Sequence, residues 1–429
     1  MMKIIMLLSC ILLLMNYSCK KKNDPPPVIG VTSPYQGAIY NIGDTVHVIA
    51  TITDNANIEY VKVTLLNSNY IPVDAAYTIN GTGKAADVDM KYPITNINLA
   101  TDSYFINVQA SDGNSTINAF QTIIIHEIPL LREAIYTITG SNAMNTIVWK
   151  VDTGNTITQV IALSGDFANA AISSTDQCLY TTGIYTGGFN CVNLPGNSLS
   201  WNIAAHNTGL PTYERVYSNN HWNLLADYDG NITGYDRTKT KNFSTTTLTQ
   251  TYPHIMYSDS RYLYAEQRDY TGTSIHLKVY HIVDGIPYQE IAINEDIVAM
   301  FSINKDSVMI FTNHSGTGHA IIYNITNNSI TTPNILPIEK IISAAQISPN
   351  IFLIAMQNNV YIYNTANFGT VNVFTSIPSS LAMKFDSLNQ QLFIANVKTL
   401  NVYNYPSNIA TSSLLFADTL RDISILYNK

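Results

Sequence analysis

From residue 131 onward, one short pattern of apolar and polar positions recurs seven times. A run of apolar residues ends in Tyr or Val, and Asn, Asp or His follows. The copies end at Val151-Asp152, Val192-Asn193, Tyr235-Asp236, Tyr280-His281, Tyr323-Asn324, Tyr363-Asn364 and Tyr403-Asn404. Between these points the chain reads as short strands parted by polar turns. One copy shows the unit in full: 351–356 is an apolar strand, 357–359 a turn, 360–363 a strand, 364–367 a turn and 371–374 a third strand. Residues 380–385 then read as the inner strand of the next unit, turning at Asp386-Ser387. The same order recurs at 308–311, 320–323 and 341–347.

Successive copies lie ~40–45 residues apart, the length of a four-stranded propeller blade. The two ends of the array are complementary. The first copy starts at 134–138 as a second strand with no inner strand before it. The last ends at 422–427 as an inner strand with no blade after it. Pairing the two predicts a seven-bladed β-propeller closed by its C-terminal strand, which removes the open sheet edges of a linear array.

Residues 28–128 carry a different, period-two pattern. Val46, Val48, Ala50 and Ile52 alternate with other residues, as do Val61, Val63 and Leu65, and then Tyr104, Ile106, Val108 and Ala110. Gly43-Asp44, Gly81-Thr82-Gly83 and Asp112-Gly113-Asn114 mark turns. Some seven short strands in about 100 residues predict an immunoglobulin-like β-sandwich. The expected fold class is therefore all-β, with the sandwich at 28–128 and the propeller at 129–429.

The N-terminus reads as an address. Met1-Met2-Lys3 is a short basic start, and 4–15 is an almost unbroken apolar stretch, short for a bilayer span. Asn16-Tyr17-Ser18-Cys19 follows, then three lysines and, after Asn23-Asp24, three prolines. An apolar stretch, a small residue and then Cys resembles a bacterial lipoprotein signal. That resemblance implies a signal peptide at 1–18, lipid attachment at Cys19 and an extended tether at 19–27. Ser18 fits the pattern, whereas Asn16 stands where such signals usually carry Leu. Cys10 fits locally but leaves a very short apolar region, and an ordinary secretory signal cleaved near Ser18 is the other alternative. The expected location is the bacterial outer membrane, on its periplasmic or outer face.

The stretches 52–61 and 108–115 resemble exported bacterial Ig-like or fibronectin-like modules, without the Cys–Trp–Cys core of antibody domains. The repeats resemble exported bacterial propellers of the quinoprotein-like or YVTN-like kind. They lack the Gly-His and Trp-Asp signature of WD repeats and the paired glycines of kelch repeats. The resemblance therefore implies an architecture and no set of active-site residues.

Composition narrows the partners. Only 12% of the residues are charged, and there are 28 Tyr. A net charge of −8 argues against a nucleic-acid surface, which needs a basic patch. Export permits a disulfide between Cys178 and Cys191, which the pattern sets roughly opposite each other on one hairpin. The alternative is two buried free thiols.

The sequence offers little reactive chemistry. Its nine His include no His-Glu-x-x-His spacing. His314 and His319 flank a turn and read as incidental. Asp54, Asp112 and the Asp227–Asn231 stretch sit in turn contexts, where Asp bonds the local backbone, and lack the converging oxygens of a calcium cage. There is no Gly-x-Ser-x-Gly elbow and no phosphate-binding loop. The three Trp show no once-per-blade recurrence, unlike the platform of a quinone-cofactor dehydrogenase. No catalytic, cofactor-binding or metal-binding residue is expected.

What remains is the propeller mouth, where the loops into the inner strands converge. By position these hold Tyr213, Glu214, Arg215, Tyr252, His254, Glu295, Asp296, Glu339, Lys340, Arg421 and Asp422. From these, Tyr213, Arg215, Tyr252, His254, Glu295, Lys340 and Arg421 are the candidate ligand contacts. Aromatic and charged groups together suit a glycan or a peptide. The expected function is a lipid-anchored binding platform for a glycan or protein partner. A glycan lyase or hydrolase with carboxylates at the mouth is the alternative.

Overall fold

The computed structural model describes residues 25–429 apart from 141–144, 207, 220–221, 247–249, 333–335, 368–369 and 378–379. The export segment, Cys19 and His221 lie outside the described residues. Two compact units are present, one ending at Pro129 and one spanning Leu130–Lys429. Among the described residues no helix is long and apolar enough to cross a membrane.

The first unit is one continuous sheet of six strands: Val28–Ser33, Ala38–Asn41, Thr45–Leu66, Tyr77–Pro93, Asp102–Ser111 and Thr116–His126. The period-two stripes are its core: Val46, Val48, Ile52, Val61, Val63, Ile106 and Val108 are all buried together. The expected break near Asp54-Asn55 is instead an irregularity inside one 22-residue strand. The register shifts between Thr53 and Ile58, and pairing then resumes. A bulge of this kind bends a strand without ending it. Thr45–Leu66 therefore pairs with Val28–Ser33, Tyr77–Pro93 and Asp102–Ser111 in turn.

The second unit consists of seven four-stranded sheets, which form a seven-bladed β-propeller. Blade 1 is Asn169–Ser173, Cys178–Thr182, Phe189–Asn193 and Ser198–Ile203. Blade 2 is Tyr213–Ser218, Asn223–Asp227, Ile232–Tyr235 and Lys241–Ser244. Blade 3 is Thr251–Ser258, Tyr262–Asp269, Ile275–His281 and Pro287–Ala292. Blade 4 is Asp296–Asn304, Ser307–His314, Thr317–Asn324 and Ser329–Thr331. Blade 5 is Ile341–Ser348, Ile351–Met356, Asn359–Asn364 and Thr370–Ser376. Blade 6 is Ser380–Asp386, Gln391–Asn396, Thr399–Asn404 and Ile409–Leu415.

Blade 7 joins the two ends of the unit. Its inner strand is Leu420–Tyr427, followed by Arg132–Thr139, Asn145–Asp152 and Ile157–Ser164. Ile425 lies opposite Ile135 and Ser424 opposite Tyr136. The inner strand of blade 7 also neighbours that of blade 1, so the ring is closed.

Burial follows position in the blade. Second strands are covered on both faces by the adjacent blades, and in blades 5 and 6 they are apolar where they are covered: Phe352 to Met356 and Leu392 to Ala395 are fully buried. Outer strands such as Ile409–Leu415 are largely exposed and mix polar with apolar residues. The tyrosine near the end of the third strand fills the space between blades, and Tyr280, Tyr323 and Tyr363 are all completely enclosed. Cys178 and Cys191 are buried free thiols. They are not directly opposite: Cys178 faces Asn193 and Cys191 faces Tyr180, one diagonal step apart.

Candidate functional site

Every blade begins its inner strand at the same end of the axis. At that end the inner strand slips register against its neighbour in six blades. The slips lie between Tyr213 and Arg215, Pro253 and Met256, Ile297 and Ala299, Ile341 and Ser343, Ser380 and Ala382, and Leu420 and Asp422. In blade 1 the inner strand pairs with its neighbour without interruption. A bulge re-aims the side chain it leaves unpaired. The residues so released are Glu214, His254 with Ile255, Val298, Ile342, Leu381 and Arg421.

The bulges surround a cavity of about 1130 Å³ on the axis, lined by all seven inner strands. That is at or above the roughly 300–1,000 Å³ of ordinary ligand pockets. Its two ends differ. The far end is aromatic, with Tyr217, Tyr257, Phe301, Phe385 and Tyr427. There the Tyr217 hydroxyl accepts from the Ser258 amide at 3.1 Å, and Tyr257 accepts from the Ser302 amide at 3.0 Å, which ties blade 2 to blade 3 and blade 3 to blade 4.

The mouth is charged. Arg215, Arg268, Lys340 and Arg421 line the cavity there and Lys384 lines it further in, against the carboxylates of Asp296 and Asp422 among the described residues. The whole chain shows the opposite balance, with 22 Lys and Arg against 30 Asp and Glu. Cationic groups are therefore concentrated here.

Several of these charges have built-in counterparts. His254 Nδ1 and Glu214 Oε1 are hydrogen-bonded across blades 3 and 2. Arg268 donates from Nε to Glu266 Oε1 at 2.7 Å, and its Nη1 lies 3.3 Å from Asp296 Oδ1. Glu266 is 0% exposed, and its Oε2 has no hydrogen-bond partner among the described residues. Burial pushes its carboxyl above the usual range, opposed by His254 and Arg268. Asp422 accepts from the Ala170 amide at 3.0 Å and the Ile423 amide at 2.8 Å, bracing blade 7 against blade 1. Burial likewise raises its carboxyl, opposed by Lys384 and by those two amides.

Arg215 is different. Its Nε is enclosed without a hydrogen-bond partner among the described residues. Burial pushes the guanidinium below the ordinary arginine range, against the pull of Asp422, Glu214 and Glu266. A buried donor left unmatched is costly, and guanidinium stays charged.

An aromatic rim adjoins this cluster. Tyr252, at the head of the blade 3 inner strand, stacks on Tyr228 with centroids 4.3 Å apart. Tyr270 stacks against both, and its hydroxyl donates to the Tyr228 carbonyl at 2.7 Å. Tyr270 remains 55% exposed. Burial raises the Tyr228 phenol pKa, and the nearby Glu214 carboxylate adds to the rise.

The structure thus brings Arg215, His254, Lys340 and Arg421 together on the cavity and sets Tyr252 at its rim. It separates two other candidates. Tyr213 is only 6% exposed, and its hydroxyl donates to the Ala204 carbonyl at 3.1 Å, so it is a core residue. Glu295 accepts from the Thr312 hydroxyl and sits 3.0 Å from His319 Nδ1, within blade 4 and off the cavity lining. Among the described residues no group of three or more His, Cys, Asp or Glu could hold a metal ion.

Sequence reasoning missed Lys384, Tyr228, Tyr270 and the Glu266–Arg268 pair. One signal was available for the pair. Leu263-Tyr264-Ala265-Glu266-Gln267-Arg268 places charges in a second strand, where the equivalent Ile351–Met356 is wholly apolar.

No protein-family model matches the chain, and no curated protein does either. Solved structures similar to it share low identity. A quinoprotein alcohol dehydrogenase-like protein from Bacteroides thetaiotaomicron is 10% identical, covering 94% of this chain and 99% of that one, with a TM-score of 0.46. The computationally designed Ika8 protein is 12% identical over 68% of this chain and 90% of its own, with a TM-score of 0.47. Hydrazine synthase of Kuenenia stuttgartiensis is 11% identical over 66% and 95%, with a TM-score of 0.48. The functional reading therefore rests on the site itself.

Proposed function

We propose that the protein is an exported, lipid-anchored component of the bacterial outer membrane. In this reading its propeller is a binding platform for a glycan or a protein partner. Cys19 carries the lipid, and residues 28–128 act as an Ig-like spacer holding the propeller off the membrane. One observation carries the binding role. In a chain that is 12% charged, five cationic side chains converge on one axial cavity whose mouth is shaped by six strand bulges. Perturbed and unmatched polar groups beside a large cavity mark a functional site.

The carboxylates support binding over hydrolysis. Asp422 is held by two backbone amides, Asp296 by Arg268, and Glu214 by His254. None of these three is left as a free acid and base pair, and Glu266, whose Oε2 has no partner among the described residues, is not part of the cavity lining.

The test is a glycan-array and pull-down screen with the full chain, repeated with Lys340→Ala and Arg421→Ala together. Both residues are exposed, so the substitutions leave the core intact. Captured ligand lost in the double variant supports the mouth; full retention places binding elsewhere. Metabolic labelling with a fatty acid, abolished by Cys19→Ala, tests the anchor.

A further inference from the structure

The mouth has two unlike halves, and they give the proposed binding role a ligand chemistry that depends on that role. On blades 7, 2 and 3 the bulges release Arg421, Glu214 beside Arg215, and His254. On blades 4, 5 and 6 they release Val298, Ile342 and Leu381, all three lining the cavity. A ligand filling this space meets Arg421, Arg215 and His254 on one side and, on the other, aliphatic side chains flanked by Lys340 and Lys384.

Arg215 supplies the anchor. Its enclosed Nε lacks a partner among the described residues, whereas Arg268 beside it is matched by Glu266 and Asp296. A planar guanidinium recognises a carboxylate through two parallel N–H bonds. Lys340 and Arg421 add positive charge around the same opening, and Lys384 adds it deeper in the cavity. The Tyr228–Tyr252–Tyr270 stack begins beside Glu214, and the exposed Tyr270 ring offers an apolar face with a polar edge. A sugar ring has the matching form, with C–H faces and hydroxyl edges. Asp296 and Asp422 add acceptors for hydroxyls to the lining.

We propose that the propeller mouth binds a carboxylate-bearing oligosaccharide, a uronate-type chain, with Arg215 holding a carboxylate. In this arrangement the tyrosine rim and the Val298, Ile342 and Leu381 arc face the sugar body. An acidic peptide shares the charge and lacks the stacking sugar face.

The experiment is calorimetric titration of the full chain with trigalacturonate, its methyl ester and poly-glutamate, in the wild type and in Arg215→Gln. The expected result is binding of trigalacturonate, weakened about tenfold or more by esterification and by Arg215→Gln, an effect of the size a charge-assisted hydrogen bond carries. If Arg215→Gln does not fold, Lys340→Gln with Arg421→Gln is the substitute and is expected to weaken binding and flatten its salt dependence. Equal binding of acid and ester overturns the carboxylate inference while leaving the binding role intact. Tighter binding of poly-glutamate overturns the glycan assignment. Absence of binding by any of the three, with a neutral glycan or a protein captured in the broader screen, also overturns this inference. Absence of any captured ligand removes the binding role itself.

Discussion

Arg132 and Asp386 form an ion pair across the seam where the propeller closes, with Nη1 and Oδ2 2.7 Å apart and the Asp386 side chain 0% exposed. Arg132 opens the second strand of blade 7, and Asp386 ends the inner strand of blade 6. The other oxygen of Asp386 accepts from the Tyr427 hydroxyl at 3.0 Å, and Tyr427 ends the closing strand. One carboxylate thus holds both segments that complete the ring. Removing one partner of a buried pair leaves the other uncompensated. Asp386→Ala is expected to destabilise the propeller by about 3–5 kcal/mol, read from chemical denaturation. A change below ~1 kcal/mol, the range of an exposed pair, would remove the clamp from the account of closure.

The closing strand itself gives a second prediction. Residues 420–427 pair with 132–139, and Ile423 and Leu426 are buried. Deleting 422–429 exposes a full strand edge beside an apolar interior, a template for aggregation. The truncated chain is expected to be insoluble or to lack a cooperative thermal transition. A soluble product with an unchanged Tm would show that the ring does not need its C-terminal strand.

Two tyrosines at the same place in the repeat predict opposite outcomes. The Tyr323 hydroxyl donates to Gln289 Oε1 at 2.8 Å, whereas the Tyr363 hydroxyl is buried with no partner among the described residues. Tyr323→Phe is expected to cost about 0.5–1.5 kcal/mol, and Tyr363→Phe to be neutral or stabilising, because a buried unmatched hydroxyl is itself a cost. Parallel denaturation of the two variants decides it; equal losses would contradict the assigned hydrogen bonds.

The hairpin bearing Tyr270 is pinned by Asp269. Desolvation raises the Asp269 pKa, but hydrogen bonds from Thr271, Ser274 and Thr273 outweigh it and hold the value at about 2. An unfolded aspartate titrates at ~3.9. Because the folded value is the lower one, the carboxylate stabilises the hairpin above pH ~4. That contribution fades as the pH falls through about 2. Asp269→Asn is expected to lower Tm at neutral pH and to converge with the wild type at pH ~2. A Tm difference that persists unchanged at acid pH would exclude the carboxylate as its source.

The parts of this molecule legible in the sequence share one property: they are set by neighbours a few residues away. The strand pattern ending at Tyr280, Tyr323 and Tyr363 repeats because each blade solves the same packing problem locally. Six blades read through without a break, and the seventh was visible as two unpaired fragments, 134–138 and 422–427. The site was legible only in part. Arg215, His254, Lys340 and Arg421 could be placed at the mouth by counting to the start of each inner strand. Tyr213 could not be told from them, because a bulge decides which of two adjacent residues turns inward, and the bulge depends on pairing with a strand in space. Thr45–Leu66 misled for the same reason: an irregularity at 53–58 looks like a turn unless its partner strand is known.

The sequence by itself determined the number of blades, the closure of the ring and the concentration of polar groups at the loops, since periodicity and strand propensity act over short stretches. Only the tertiary structure decided which charges meet. Arg215, Glu266, Arg268 and Asp422 come from three blades, and their burial and mutual fields exist only once the ring brings them to one axis. There the loss of water leaves Arg268 matched by Glu266 and leaves Arg215 Nε without a partner among the described residues.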